Sequence, residues 1–348
     1  MEKIVVTGAT GLVGKALKRL AEDDPRSAGK WTFLGSKDCD LRDPHQVAER
    51  FSELRPTHVF HLAAKVGGLF YNIANNGEMF EDNVLMNVNV LGVCKQLGVR
   101  KVMSCSSTCV FPAHLEGSKK HPLIVEDLHE GLPHHSNLGY AFAKRMLDVQ
   151  NRLYRSETSK FFSIIPTNIF GKDDAFDEDR AHVIPALIGK CYRAMMEGST
   201  FVIAGSGSDK RQFVYADDVA RLLLLAMDNF EGEHDLIIAP PEEFTIAEVA
   251  EKIMHIMRFE TGRVAFVPQG NARGQPQKYA DPTMVQQHFP GFVFTPFDDA
   301  LRETIAWYRS RQQQEVFSST MKGSAKRHEH GSIYMSGWST TKDATVVR

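Results

Sequence analysis

Lys3-Ile4-Val5-Val6-Thr7-Gly8-Ala9-Thr10-Gly11-Leu12-Val13-Gly14 is the stretch on which the fold turns. A β-branched run stops at a glycine and soon gives way to Leu12-Val13-Gly14-Lys15-Ala16-Leu17-Lys18-Arg19-Leu20, whose apolar residues recur at helical spacing. The unit reads as strand, glycine-rich turn, helix. Gly8, Gly11 and Gly14 keep side chains out of the turn, so backbone amides and the helix dipole can face a pyrophosphate. Three glycines also serve a tight turn with close helix packing; their place directly after the first strand is what points to a nucleotide cofactor.

Outward from that turn, strand-like runs return at 31–34, 57–64, 101–105 and 162–166, with helix-compatible segments between them. Such alternation predicts an α/β fold with a Rossmann-type, doubly wound parallel sheet covered on both faces. From about residue 171 the order loosens: a polar loop, a helix near 182–196, strand-like runs at 201–203, 212–215 and 235–238, and a helix near 246–257. The expected division is a cofactor-binding domain over 1–170 with a return near 212–230, and a smaller, mainly substrate-binding α+β domain over 171–317. Residues 318–348, with Lys326-Arg327-His328-Glu329-His330 and no apolar period, read as a disordered tail.

The 348 residues suffice for roughly two domains. With 41 basic against 43 acidic side chains the net charge is -2, which gives no field for nucleic acid or an anionic membrane. Neither a long apolar span nor a signal peptide is apparent, so the expectation is a soluble, cytoplasmic protein, an organelle being left open. Five cysteines with no CxxC pair predict reduced thiols, no disulfide framework and no metal site.

The second strand ends Leu34-Gly35-Ser36-Lys37, where NAD-preferring folds usually carry an acid for the ribose 2′-hydroxyl. Lys37 suits a 2′-phosphate and favours NADP, and Asp40-Leu41 follow at a distance suited to the adenine edge. Tyr140-Ala141-Phe142-Ala143-Lys144 sets a phenol and an ammonium four residues apart, on one face of a helix. The cation is expected to lower the phenol's pKa. Ser104-Cys105-Ser106-Ser107-Thr108 ends the strand-like run before it.

Ser, Tyr and Lys in this order behind an N-terminal GxxGxxG resemble the short-chain dehydrogenase/reductase superfamily in its extended, nucleotide-sugar-modifying form, over about residues 1–315. The resemblance implies Tyr140 as acid or base at the reacting oxygen, Lys144 on the nicotinamide ribose and Ser107 as hydrogen-bond donor. It also implies a cofactor wall of Gly8, Thr10, Gly11, Leu12, Val13, Gly14, Leu62, Ala63, Ala64, Pro166, Asn168 and Ile169.

Five stretches carry a narrower likeness: Val66-Gly67-Gly68-Leu69-Phe70, Ser107-Thr108-Cys109-Val110-Phe111-Pro112, Pro166-Thr167-Asn168, Ala181-His182-Val183-Ile184-Pro185-Ala186-Leu187-Ile188 and Lys210-Arg211-Gln212-Phe213. They resemble the GDP-L-fucose synthase family, NADP-dependent enzymes that epimerise GDP-4-keto-6-deoxy-D-mannose at C3 and C5 and then reduce C4. That likeness implies Cys109 as base and His182 as acid, with His182 also beside the cofactor, and a homodimer paired through two helices per subunit. It nominates Asn168, Val183, Leu187, Lys190, Arg211 and Lys278 for the substrate. Two departures stand out: Ala204 where relatives usually carry tryptophan, and Arg273-Gly274 where they tend to show Asp-Gly. A nucleotide-sugar 4-epimerase or dehydratase would share most of these motifs; a non-catalytic cofactor sensor would usually lack the tyrosine or the lysine.

Overall fold

Residues 4–7 are buried on both sides, as a central parallel strand requires, and this strand organises the rest. The structure, a computed structural model, describes residues 2–24, 29–177, 180–260, 263–268 and 274–331, those after 315 as helix backbone alone. Arg273 and residues 332–348 lie outside the described residues.

In chain order the first half runs β1 Ile4–Thr7, α1 Leu12–Asp23, β2 Trp31–Leu34, α2 Pro44–Leu54, β3 His58–His61, α3 Leu69–Ala74, α4 Asn76–Gln96, β4 Lys101–Cys105, α5 Leu138–Tyr154 and β5 Lys160–Pro166. The second runs β6 Asn168–Phe170, α6 Val183–Glu197, β7 Phe201–Ala204, β8 Lys210–Arg211, β9 Phe213–Tyr215, α7 Ala216–Asn229, β10 Leu236–Ile238, β11 Phe244–Thr245, α8 Ile246–Met257, β12 Val264–Val267, α9 Thr283–His288 and α10 Phe297–Gly331.

Six strands form one parallel sheet in the order β10-β5-β4-β3-β1-β2. The alternation of side chains along each strand sends Ile4, Val6, Phe60, Met103, Phe162 and Ile164 to a core shared with Leu17, Val219 and Leu222. Val5, Val59, Val102 and Phe161 point to the opposite core, with Phe51, Leu91 and Leu147. The sheet is therefore covered on both faces, by α1 and α7 on one and by α2, α4 and α5 on the other.

The run at 235–238, read with the smaller domain from sequence, is the edge strand β10, paired parallel to Ile164–Pro166. Leu236, Ile237 and Ile238 are all fully buried, and a short continuous apolar run looks alike in either setting. The run at 212–215 divides at Gln212, whose buried amide donates to the carbonyls of Pro240 and Ala280. The smaller lobe is built on β7 paired with β12, together with α6 and α8.

Residues 1–304 form one compact unit, and a second unit starts at Ile305. Helix α10 runs to Gly331, so residues 318–331 of the stretch expected to be disordered are helical.

Candidate active site

The order of the sheet reverses at β1, which sends the chain out to β2 and back to β3 on its other side. In such sheets the crevice outside the carboxyl ends of the strands at this reversal is where ligands bind. A cavity of about 990 Å³ opens there, walled by residues from the ends of β1, β3, β4 and β5 and by α6 and the loops of the smaller lobe.

Gly8 has φ +73°, and a Cβ on it would sit 2.6 Å from the Ala63 nitrogen; a Cβ on Gly14 would sit 2.3 Å from the Gly8 carbonyl oxygen. Backbone packs on backbone at both points, so only glycine fits. Helix α1 is capped by Gly11 with no side-chain bond, and its first turn holds no acid, leaving its amides toward the cavity that Gly11, Leu12 and Val13 line. The shape and charge fit the diphosphate of a dinucleotide.

At the end of β2 the structure brings Asp40 and Leu41 to the wall but not Lys37. The Asp38 amide donates to the Gly35 carbonyl (3.0 Å) and the Gly35 amide to the Asp38 carboxylate (2.7 Å), a tight turn that leaves Lys37 exposed at its tip. Arg42, overlooked in the sequence, lines the cavity instead. Asp40 grips it at Nε (3.0 Å) and Nη2 (2.9 Å), and this pairing holds the Asp40 carboxyl below the usual carboxylate range. The available sequence signal was an arginine two residues after an acid near the end of strand two.

Helix α5 presents Tyr140 and Lys144 one turn apart. The Lys144 ammonium donates to the Cys105 carbonyl (2.7 Å) and lies 5.7 Å from the centre of the Tyr140 ring. Burial lowers the Lys144 pKa to about 8. Burial likewise pushes the Tyr140 phenol well above its ordinary value, with Cys105 and Cys109 adding to the shift. The lowering expected from Lys144 does not occur, and the phenol keeps its proton.

Behind α5, the imidazole of His61 is held at about 4 by burial and the nearby Lys144 charge. Neutral, it bridges Thr7 Oγ1 (2.9 Å) and Asn87 Oδ1 (3.0 Å), and Asn87 Nδ2 reaches the Ala143 carbonyl (3.3 Å). This chain of bonds fixes the helix against β1 and β3. His61 thus lies under the site, while Leu62, Ala63 and Ala64 line it.

Ser107, in extended backbone, accepts from the Cys109 amide (3.2 Å) and caps the short 3-10 turn Thr108–Val110. The cap sets hydroxyl and thiol side by side at the cavity wall, where Tyr140, Lys144 and His182 also stand. His182 is the N-cap of α6 and opens onto the cavity; loss of bulk water around the ring pushes its pKa down.

Val183, Leu187 and Lys190 recur at helical spacing along α6 and line one wall, with Pro166, Asn168, Ile169, Arg211 and Lys278 around them. Ala204 leads into a bare Gly205-Ser206-Gly207 edge on the same cavity. Asp174 was also missed: it lines the cavity, its Oδ2 has no partner among the described residues, and burial raises its pKa to about 7.

Residues 4–244 match the model of the NAD dependent epimerase/dehydratase family. A GDP-L-fucose synthase from Dictyostelium discoideum is 41% identical over 308 residues, covering 88% of this chain and 94% of that protein. A probable GDP-L-fucose synthase from Drosophila melanogaster is 37% identical over 324 residues, covering 90% and 99%. A crystal structure of a GDP-L-fucose synthetase from Naegleria fowleri bound to NADP superposes with a TM-score of 0.81 at 42% identity, covering 90% of this chain and 94% of that one. A glycine turn shaped for a diphosphate, a Tyr–Lys pair on the wall of the same cavity and a match that spans all six strands of the sheet agree: the chain belongs to the NAD dependent epimerase/dehydratase family.

Proposed function

We propose that the protein binds NADP(H) and GDP-4-keto-6-deoxy-D-mannose, inverts C3 and C5 of the sugar, and reduces C4 to give GDP-L-fucose. The observation that carries this reading is a thiol, an imidazole, a phenol and a hydroxyl, those of Cys109, His182, Tyr140 and Ser107, on the walls of one cavity with the glycine turn. The likeness to GDP-L-fucose synthases and to the NADP-bound synthetase supports it.

C3 and C5 both flank the C4 ketone and are acidified by it, so one base and one acid on opposite faces of the ring serve both centres. Cys109, as thiolate, takes the proton from carbon and becomes the thiol, and His182, as imidazolium, returns one from the other face; exchange with solvent restores both groups before the second centre. Charge that develops on O4 is stabilised by the hydroxyls of Ser107 and Tyr140. NADPH, which the glycine turn and Lys144 would hold, would supply the hydride for C4, and Tyr140 gives its proton to O4. A phenol kept protonated by burial suits that direction of transfer. Lys144 orients the ribose, Lys190 and Arg211 bring cations to the diphosphate, and Val183 and Leu187 flank the base.

Lys144 gives the reduction a pH limit. Its pKa of about 8 means that its charge is present below that pH and lost above it, while Tyr140 stays protonated through the same range. Single-turnover NADPH oxidation is expected to fall as pH rises through about 8; a rate that holds level to pH 10 refutes this.

For the cofactor's 2′-phosphate, Arg42 is favoured over Lys37 by its place on the wall. Arg42→Ser is expected to cut the NADPH-to-NADH ratio of kcat/KM about tenfold, the scale of one charge-assisted hydrogen bond, and Lys37→Asp to cut it less. The reverse order would return the role to Lys37.

A cytoplasmic homodimer completes the proposal. Among the described residues no helix is long and apolar enough to cross a membrane. Exposed Leu85 and Val88 on α4 and Met146, Val149 and Leu153 on α5, the last 72% exposed, form an apolar strip suited to a second copy. Light scattering at the mass of one chain would exclude the dimer.

The test of the whole reading is purified protein with GDP-4-keto-6-deoxymannose and NADPH, and NMR of the product. GDP-L-fucose with matching NADPH oxidation is expected. A product that keeps the manno configuration at C3 and C5, or no NADPH consumption, overturns the reading.

A further inference from the structure

Two consecutive cations on α5 grip the two ends of the segment that carries Ser107 and Cys109. Lys144 donates to the Cys105 carbonyl (2.7 Å), and Arg145 donates through Nε to the Val110 carbonyl (2.8 Å). Lys144 lines the cavity, whereas Arg145 stands behind its wall, 4% exposed. From there Arg145 also donates through Nη1 to the Gly131 carbonyl (2.6 Å), and its guanidinium lies 5.8 Å from the centre of the Phe142 ring. Among the described residues no carboxylate pairs with it.

What Arg145 ties down is short and irregular. After β4 the chain closes the 3-10 turn Thr108–Val110, in which the Val110 amide donates to the Ser107 carbonyl (3.1 Å) and the Phe111 amide to the Thr108 carbonyl (3.3 Å). The Val110 carbonyl is left for Arg145. Beyond the turn the chain pairs with residues 131–133: the Ala113 amide donates to the Leu132 carbonyl (2.8 Å), and Pro112 bridges Pro133 in antiparallel fashion. That second segment runs on through His134, Ser136 and Asn137 of the cavity wall into α5 itself. One side chain therefore joins the turn of the thiol, the wall that leads to Tyr140 and the helix that bears it.

We propose that Arg145 is a positioning residue for proton removal from the sugar: its two bonds fix the turn that carries Cys109 against the helix that carries Tyr140. Deprotonation beside a ketone requires the base at carbon and the donors at O4 to engage one ring together, and a misplacement of about 1 Å costs on the order of 10²-fold in such a step. Burying a guanidinium without a carboxylate is unfavourable, and an apolar side chain would fill the same space without that penalty. The planar fork supplies what an apolar chain cannot, two directed bonds of fixed spread. The proposal rests on the reading of Cys109 as the base, and one of its two measurements needs no turnover.

Arg145→Met and Arg145→Lys are compared with the unaltered protein in two measurements. One is amide hydrogen exchange of the peptide spanning residues 106–112; the other, with GDP-4-keto-6-deoxymannose and NADPH, is deuterium entry at C3 and C5 relative to NADPH oxidation. Arg145→Met is expected to speed amide exchange at 106–112 about tenfold, the scale of one lost hydrogen bond, and to leave the amides of β1 and β3 as they were. In the same variant the ratio of deuterium entry to NADPH oxidation should fall by about 10- to 100-fold, so that sugar reduced at C4 without full inversion accumulates, while KM for both ligands stays nearly unchanged. Arg145→Lys keeps the cation and one carbonyl bond and should recover part of both effects. Circular dichroism and NADP binding confirm that each variant is folded. A role in stability alone would lower the unfolding temperature and leave the ratio where it was, and an unchanged ratio overturns the proposal. If the unaltered protein puts no deuterium into C3 or C5, the proposed reaction fails and amide exchange decides: an unaltered rate at 106–112 in Arg145→Met overturns the positioning role, and a faster one upholds it.

Discussion

Cys109→Ser is expected to lower exchange of solvent deuterium into C3 and C5 of the sugar by about 10³-fold, within the range general base catalysis contributes. The variant keeps a hydroxyl of nearly the same size, so the cap from Ser107 to the amide of residue 109 and the packing of the turn survive. What goes is the thiol, whose thiolate is the form that acts as base; a serine hydroxyl supplies no such anion. NADP affinity should be nearly unchanged, because the glycine turn packs on Ala63 and Ala9 and Lys144 bonds the Cys105 carbonyl, none of which the substitution alters. Deuterium entering both carbons at the original rate would remove Cys109 from the mechanism.

Tyr140→Phe is expected to slow NADPH oxidation by about 10²- to 10³-fold, the cost of losing a positioned proton donor. The ring remains under the Lys144 ammonium, and Lys144 keeps its bond to the Cys105 carbonyl, so the helix and the cofactor wall stay as they are. Proton exchange at carbon should fall less than reduction, as Ser107 still stabilises charge on O4. The two rates therefore separate in one variant. An unchanged reduction rate would exclude the phenol as the acid.

Much of this site was legible because its key residues follow regular elements. A strand that ends at Gly8, a helix that starts at Leu12 and a four-residue interval from Tyr140 to Lys144 each fix a direction in space from spacing alone. What escaped sequence reading depends on irregular chain. The turn that points Lys37 outward is set by two hydrogen bonds between Gly35 and Asp38, and spacing along β2 does not encode them. Arg42 and Asp174 stand in loops, where no period announces which side chain will face the cavity. The sign of the Tyr140 shift was missed for another reason. A charged neighbour is visible in sequence, whereas the removal of water that raises the phenol is visible only once the cavity closes. Residues 236–238 join the main sheet rather than the smaller lobe, which three buried apolar residues do not announce in sequence.

The contacts at Gly8 and Gly14 bear on how such a chain can change over generations. With a backbone atom 2.6 Å and 2.3 Å from where any side chain would begin, neither position tolerates even alanine without moving a strand or the first helix. Random substitution there ends a lineage; at exposed Ser36, Lys37 and Arg42 it leaves the backbone where it is. Descendants are free to trade one dinucleotide for the other, but the seat of the phosphates is inherited whole or lost.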